Sequence, residues 1–472
     1  MNTFDTFYAG GMAVQCDGSS TYNVISPTTG EIIGEVRYSS NENVDLAVKN
    51  ARAGYLAWKG SSAEERKRCL REIATSLQAR TNEIATSLAD EIGCPTFLGE
   101  AMQVGMAIKG LELAAEGIDQ IEWEERIGNG LVQKVGIGVV AALTPWNFPL
   151  HQIVAKIAPV IAAGCAVILK PSEVAPSAAR IFAECVHASS LPKGVFNLVW
   201  GGREVGETLT SHPQVDHVSF TGSTSVGMAI MKNAAQGMKR VTLELGGKSA
   251  AVILDDADLD QAIPSVVRMS LANSGQTCVS QSRIIVPQNR FTEIVDRYLA
   301  EAKSWRMGNP HVAAVKLGPV ATKRQYLRIR EMIEQAKSNG AVVQQAFDVE
   351  PSLAAGFYIP PILVTNVDAY AEIAQQEVFG PVVCVIPYTD EAEAISIANA
   401  SPYGLSGAVW SQDVARATRA AEQLATGQVI INGAAQNLAT PFGGWKESGF
   451  GRENGKFGIE DLLIFRSIHG AA

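Results

Sequence analysis

Apolar and polar positions fall in blocks along this chain, and the period of the blocks changes twice. Residues 1–45 read as short strands and turns, with Ser26-Pro27-Thr28-Thr29-Gly30 as a turn between alternating stretches. From Asn43 to about Asp119 apolar residues recur every three or four positions, opposite a charged face that includes Glu64, Glu65, Arg66, Lys67 and Arg68. That is the helical period, and Pro95 interrupts it. Residues 121–135 read as a hairpin around Gly128-Asn129-Gly130, with the Asn-Gly pair expected to make the tight turn. A hairpin leaving a helical block is either a sheet edge or an arm that pairs with another chain.

Strand-like apolar runs at 139–144, 166–170, 195–200, 216–221 and 240–245 then alternate with helical stretches at 151–163, 176–189, 203–210 and 224–236. Five β units separated by helices predict a parallel, doubly wound sheet. Such sheets bind ligands beyond the carboxyl ends of their strands. The polar clusters fall there: Thr144-Pro145-Trp146-Asn147, Lys170-Pro171-Ser172-Glu173, Gly201-Gly202, Thr221-Gly222-Ser223 and Glu244. After Gly247 the alternation restarts with strand 249–254, helix 257–272, a loop holding Cys278, strand 282–286 and helix 291–303. It continues through 381–386 and 427–431, which predicts a second α/β unit. Residues 459–469 read as a final strand that pairs across a domain or subunit boundary.

Composition narrows the classes. The chain has 472 residues, 47% hydrophobic and 18% charged, enough apolar material for large packed cores. A net charge of -9 argues against a sequence-independent grip on nucleic acid or an anionic membrane. Seven dispersed cysteines without a C-x-x-C pair read as reduced thiols, hence a reducing compartment. Residues 1–11 show no basic and apolar leader pattern, so no secretory signal is expected. The most apolar run, 153–169, contains Lys156, Pro159 and Gly164 and reads as a buried helix and strand, not a membrane span. The expectation is a soluble, cytoplasmic protein.

No G-x-G-x-x-G occurs. Gly201-Gly202 and Gly222-Ser223 each precede a helix, whose free N–H groups either hold a phosphate or are capped by Ser223 or Thr224. Lys170 and Glu173 suit ribose and phosphate contacts, or are plain surface charges. A carboxylate at that place repels a 2′-phosphate and favours NAD over NADP. Cys278 alone among the cysteines lies in a polar loop, where a thiol can act as nucleophile; the others read as structural thiols. Glu244 ends an apolar run, where burial raises a carboxyl towards a general base; a cap on the following turn is the competing reading. Asn147 can donate two N–H bonds to an oxyanion, between prolines that stiffen its loop.

Assembled in order, these residues resemble the aldehyde dehydrogenase superfamily over nearly the whole chain. The matching motifs are TPWNFP (144–149), LKPSE (169–173), FTGST (220–224), LELGG (243–247), GQTC (275–278), EVFGP (377–381) and PFGGWKESGFGR (441–452). The resemblance implies that Cys278 attacks the aldehyde, that Asn147 with the Cys278 backbone N–H holds the oxyanion, and that Glu244 activates the hydrolytic water. Lys170 is counted with this catalytic set and also with the cofactor contacts. On the cofactor side the resemblance implies Thr144, Trp146, Ser172, Glu173, Gly202, Phe220, Gly222, Ser223, Glu244, Leu245, Glu377 and Phe379. Glu453 matches a family carboxylate assigned to proton relay.

The implied organisation is an α/β fold in three parts. An NAD-binding domain covers 1–118 and 136–246, a catalytic α/β domain 247–447, and a small β oligomerisation hairpin and tail 119–135 and 456–472. The implied cofactor is NAD, with NADP disfavoured and no metal. The implied partners are a small aldehyde and further copies of the chain, as a homodimer or homotetramer, without nucleic acid or membrane. Departures from the family pattern are Gly136 in place of a common proline, Ala155 where several members carry a large aromatic, and Gln436 and Asn437 in a loop that is often aromatic. With Gln152 one helical turn before Ala155, they predict a roomy, polar substrate tunnel. The competing readings are an acylating enzyme that hands its thioester to coenzyme A, against which Glu244 argues, and a family-fold protein without catalysis.

Overall fold

The five predicted strands are Val139–Leu143 (β1), Ala166–Lys170 (β2), Phe196–Leu198 (β3), His217–Thr221 (β4) and Arg240–Glu244 (β5) in a computed structural model that describes residues 2–470. Met1, Ala471 and Ala472, which the expected boundaries include, lie outside the described residues. β1 to β4 are buried along their whole length. Continuous apolar runs of this kind are what a parallel sheet covered by helices on both faces requires. The strands pair in parallel in the order β5-β4-β1-β2-β3. Gly449–Phe450 joins β5 antiparallel, and Thr6–Ala9 joins β3 in the same sense.

The chain runs outward from β1 through β2 to β3, then returns to β4 on the other side of β1. That reversal leaves a crevice beyond the carboxyl ends of β1 and β4, the ligand position of doubly wound sheets. Register brings the key residues level: Leu143 lies opposite Lys170, and Thr221 opposite Glu244. The crossovers are Pro149–Ala162 (α1), Pro176–His187 (α2), Arg203–Ser211 (α3) and Thr224–Ala235 (α4). Proline opens α1 and α2, where its missing N–H costs nothing and its fixed φ suits the first turn.

The helical block expected over 43–119 is several helices. Ser40 and Ser62 close capping boxes with Asn43 and Glu65, which start Asn41–Trp58 and Ala63–Ala79 separately. Beyond Pro95 the chain takes a π-helical turn over Gly99–Val104 before Gly105–Gly117.

A second sheet of seven strands runs Val342–Gln345, Ile362–Thr365, Val382–Tyr388, Arg283–Pro287 (β7), Ala250–Ile253 (β6), Ser406–Trp410 and Gln428–Ile431. Its apolar clusters are separate from that of the first sheet. The strands at 342–345, 362–365 and 406–410 fall outside the runs singled out from the pattern. Each is only four or five residues and lies close to a glycine or proline, too short for a clear period of two.

The hairpin and tail need two corrections. The turn is made by Gly128 and Asn129, since Ile127 pairs with Gly130 and Gly128 has φ +59°. A first turn residue with positive φ is the type II′ pattern, so glycine leads and Asn-Gly is not the turning pair. The expected strand 459–469 begins only at Leu463; Gly455–Asp461 is a helix packed on Gly105–Gly117 and α1. Leu463–His469 pairs with Gly130–Gly136 of its own chain, completing a three-stranded arm.

Glu91, buried near the end of the helix Thr81–Ile92, accepts hydrogen bonds from Ser177 N at 3.2 Å and from the Ser177 hydroxyl at the start of α2. Burial outweighs these bonds and pushes its carboxyl up to about 8. The folded state therefore keeps a proton that the unfolded chain loses, and stability falls as pH rises from about 4.5 to about 8. Glu91→Gln removes this dependence: urea midpoints at about pH 5 and about pH 8 should lie closer together than in the wild type. An unchanged gap would refute the assignment.

Candidate active site

Glu244 is the last residue of β5, and the chain crosses from there into the second sheet through Gly246 and Gly247. Neither glycine has room for a side chain. A Cβ on Gly247 would lie 2.3 Å from the Cys278 carbonyl oxygen, and one on Gly246 would lie 2.8 Å from Glu377 Oε2. The paired glycines thus let the Cys278 loop and Glu377 close in beside Glu244. After β6, Leu259–Leu271 (α5) runs back towards the first sheet. It ends in three consecutive left-handed residues, Asn273 (φ 52°), Ser274 (φ 55°) and Gly275 (φ 73°), which turn Gln276–Cys278 into the seam. Cys278 is the one cysteine of the seven that is only partly buried.

Asn147 is held from several sides. Its backbone carbonyl accepts from Gln103 Nε2 at 3.1 Å and Asn273 Nδ2 at 3.0 Å. Its own Nδ2 donates to the Gln276 carbonyl at 3.0 Å, leaving a second N–H for another acceptor. Gln276 is pinned in turn by its side chain, whose Oε1 accepts from Ala321 N at 2.9 Å. Gln103 and Asn273 escaped the sequence reading. Gln103 comes from the π-helical turn some forty residues upstream, and nothing local marks it.

Both carboxylate oxygens of Glu244 are buried without a hydrogen-bond partner. Burial, then the nearby Glu453 charge, holds this carboxyl well above the usual range; Lys156, Arg452 and the Gly444 backbone oppose the shift. Glu453 Oε1 lies 2.6 Å from Lys156 Nζ, with both side chains almost fully buried. The Cys278 thiol is also pushed up, first by burial and then by Glu244 and Glu377. Sγ therefore rests as a thiol, and an attack has to move its proton.

At the crevice, Lys170 Nζ donates to the carbonyls of Gly201 (2.5 Å) and Pro171 (3.1 Å) and lies 3.8 Å from Glu173 Oε2. Nothing in these contacts ties Lys170 to Cys278 or Glu244, so its position suits the cofactor role of the two expected for it. Ser172 accepts from Val174 N, and Gly202 caps α3 against the Tyr38 ring. Tyr38, whose hydroxyl is pushed up by burial and by Glu173, is a neighbour of that site the sequence reading missed. Phe220 is buried beneath Gly222, where a Cβ would strike its ring. Ser223 takes the N-cap position of α4 without capping it, and Thr224 turns to the Glu447 carbonyl. Leu245 is buried, with its N–H bonded to the Ser448 carbonyl.

The second unit adds Phe379, whose φ is 56° and whose ring meets Trp146 edge-on at 5.5 Å across the seam. It also adds Glu377, whose Oε1 accepts from Gly247 N at 3.0 Å and whose carboxyl is raised by burial to about 7. These residues fit a dinucleotide. The Thr144 hydroxyl is buried without a partner at the crevice, the first N–H groups of α4 are uncapped, and Glu377 Oε2 is left for a diol.

On the other side of Cys278 a cavity of about 370 Å³ opens to solvent. Gln152 and Gln436 line it as expected, but Ala155 and Asn437 do not. Ala155 lies further along α1, against a small void with Pro159 and Thr242, and Glu453 borders both spaces. Asn437 bonds to Ala439 N within its own turn. His151 and Arg268 line the cavity and were not anticipated from the sequence.

A dinucleotide crevice and a cysteine facing each other across one seam define a dehydrogenase that holds its substrate covalently during oxidation. Comparison with known proteins makes that specific. The aldehyde dehydrogenase family model matches residues 14–468. A 3-succinoylsemialdehyde-pyridine dehydrogenase from Pseudomonas sp is 41% identical over 475 residues, covering 100% of this chain and 99% of its own. A mutant of aldehyde dehydrogenase C from Pseudomonas syringae, complexed with NAD+ and octanal, superposes with TM-score 0.97 at 38% identity, over 99% of this chain and 97% of that one. A Mycobacterium tuberculosis aldehyde dehydrogenase complexed with NAD+ gives 0.96 and 38%, over 99% and 98%. The chain belongs to the aldehyde dehydrogenase family. It is an NAD(P)-dependent enzyme that oxidises an aldehyde through a catalytic cysteine.

Glu453→Gln removes a negative charge that raises Glu244 and leaves the Lys156 cation uncompensated beside it. Both changes lower the Glu244 pKa, so the acid limb of the pH–turnover profile should move to lower pH. A limb that stays or moves upward would refute this electrostatic account.

Proposed function

We propose that the chain is a hydrolytic, NAD-preferring aldehyde dehydrogenase in which Cys278 is the nucleophile, Asn147 the oxyanion donor and Glu244 the base. The observation that carries this reading is a carboxylate with a raised pKa and two unpartnered oxygens, buried near the one cysteine that is only partly buried. The thiol proton passes to water in the open cavity as Sγ bonds the aldehyde carbon and the C=O π pair moves onto oxygen, and the oxygen that gains charge meets Asn147 Nδ2–H and the Cys278 N–H. When bound, the nicotinamide supplies the acceptor for the hydride released from that carbon. Glu244 then takes a proton from water, whose oxygen bonds the thioester carbon as the C–S bond breaks and the free acid leaves. The Glu453 carboxylate, held by Lys156 and lining the same cavity, offers the next place for that proton.

Thr144, Trp146, Lys170, Ser172, Glu173, Gly202, Phe220, Gly222, Ser223, Leu245, Glu377 and Phe379 form the cofactor side. Glu173, close to Lys170, disfavours a 2′-phosphate and therefore NADP. Residues up to 246, apart from the arm, make the cofactor domain, and 247–447 the catalytic one. Seven free thiols suit a cytoplasmic, reducing setting, and no helix among the described residues is long and apolar enough to cross a membrane.

Cys278→Ala should lower aldehyde-dependent NADH formation at least about 10³-fold. Glu244→Gln should keep a first burst of NADH and slow later turnover, with NAD outperforming NADP throughout. A fully active Cys278→Ala, or acyl-coenzyme A as product when coenzyme A is added, would overturn the proposal.

The arm exposes Ile127, Phe465 and Ile468, which fits a dimer or dimer of dimers that covers them. Light scattering should report at least twice the chain mass, and a monomer at micromolar concentration would refute it.

A further inference from the structure

The cavity beside Cys278 carries a charge pattern that bears on which aldehyde enters. Its body is apolar, formed by Met102, Met106, Phe148, Met269, Leu438 and Phe442. Two lining side chains bring formal charge. Glu453 sits at the inner end and is neutralised by Lys156 at 2.6 Å. Arg268 lies at the exposed mouth, on α5 one turn after Ser265, and its Nη2 donates only to the Ser265 hydroxyl at 3.3 Å. Among the described residues no carboxylate pairs with it. His151, the other titratable group on the wall, is held down to about 4 by burial and is neutral at physiological pH.

Among the residues lining this cavity the one charge without an opposite partner is thus positive, which favours an incoming anion. A guanidinium also presents the planar fork that matches a carboxylate. Three more polar groups face the same space with bonding capacity to spare. Gln281 is 2% exposed, with Oε1 unpartnered, and His151 Nδ1 is unpartnered too. Gln152 has its Oε1 committed to the Thr221 hydroxyl, which leaves its amide N–H groups free. At roughly 30 Å³ per water, 370 Å³ is about a dozen water volumes, far more than a two-carbon aldehyde fills.

We infer that the substrate is an aldehyde with a carboxylate at its far end, an ω-carboxy aldehyde, and that Arg268 is the residue that selects it. This rests on Cys278 being the nucleophile, which places the aldehyde end deep in the cavity and the other end at Arg268.

The test compares α-aldehyde, ω-carboxylic acids of about four to ten carbons with their methyl esters, which keep the length and lose the charge. NADH release is followed in the wild type, Arg268→Gln and Arg268→Lys. The wild type should prefer acid over ester in kcat/KM by at least about tenfold, through KM, and less so at high salt. Arg268→Gln should raise KM for the acid about 10- to 100-fold with kcat little changed, and alter the ester less than about threefold. Arg268→Lys should restore part of the preference. If esters turn over as well as acids, or if Arg268→Gln affects both alike, the inference falls while the function stands. If neither acid nor ester reduces NAD while another aldehyde does, the inference falls and the function stands; if no aldehyde does, the proposed function falls and takes the inference with it.

Discussion

Everything in the seam depends on keeping one carboxylate, Glu244, out of water and without a full hydrogen bond. Burying such a group is costly, and the protein meets the cost by letting the carboxyl hold a proton more readily than usual. The position that imposes this is the carboxyl end of β5, a strand that cannot shift because it is paired on one side with β4 and on the other with Gly449–Phe450. Gly246 and Gly247 follow because only residues without a Cβ let Glu377 and the Cys278 loop approach that end. The placement of the Cys278 loop is in this sense a consequence of where the carboxylate had to be.

The same economy of charge runs through the surroundings. Lys156 and Glu453 neutralise one another next to Glu244, and Glu173 opposes the effect of burial on Lys170. The thiol of Cys278 is disfavoured as a thiolate first by burial and then by the carboxylates of Glu244 and Glu377. Rigidity comes from elsewhere: the Asn147 carbonyl, gripped by Gln103 and Asn273, ties the π-helical turn, the first sheet and the Cys278 loop together. Removing either grip would loosen Asn147 and the loop that carries it.

The alternation of apolar runs and helical periods made the first sheet legible, because a parallel strand buried on both faces is an uninterrupted apolar run. The strand 166–170 and the helix 291–303 stand where the pattern puts them. The short strands at 342–345, 362–365 and 406–410 were not legible, since four or five residues carry too little periodicity. The start of the tail was misplaced for a physical reason: the few residues from 459 to 462 carry too little periodicity to be told from a strand, yet the chain buries Gly458 and Ile459 in the helix Gly455–Asp461. Likewise Ala155 shares its helical face with His151, but it lines a separate small void and not the cavity, a fact no local pattern contains.

The sequence by itself determined the chemistry: a thiol in a polar loop, a carboxylate at a strand end, an amide between prolines, and seven motifs in family order. These are local, because backbone conformation and side-chain identity within a few residues carry them. Tertiary structure alone decided which groups face one another. Gln103 reaches Asn147, Lys156 meets Glu453 from 297 residues away, and Arg268 stands unpaired at the mouth of the cavity. Burial and electrostatic pairing depend on distance in space, and chain separation says nothing about that until the two sheets have closed on their seam.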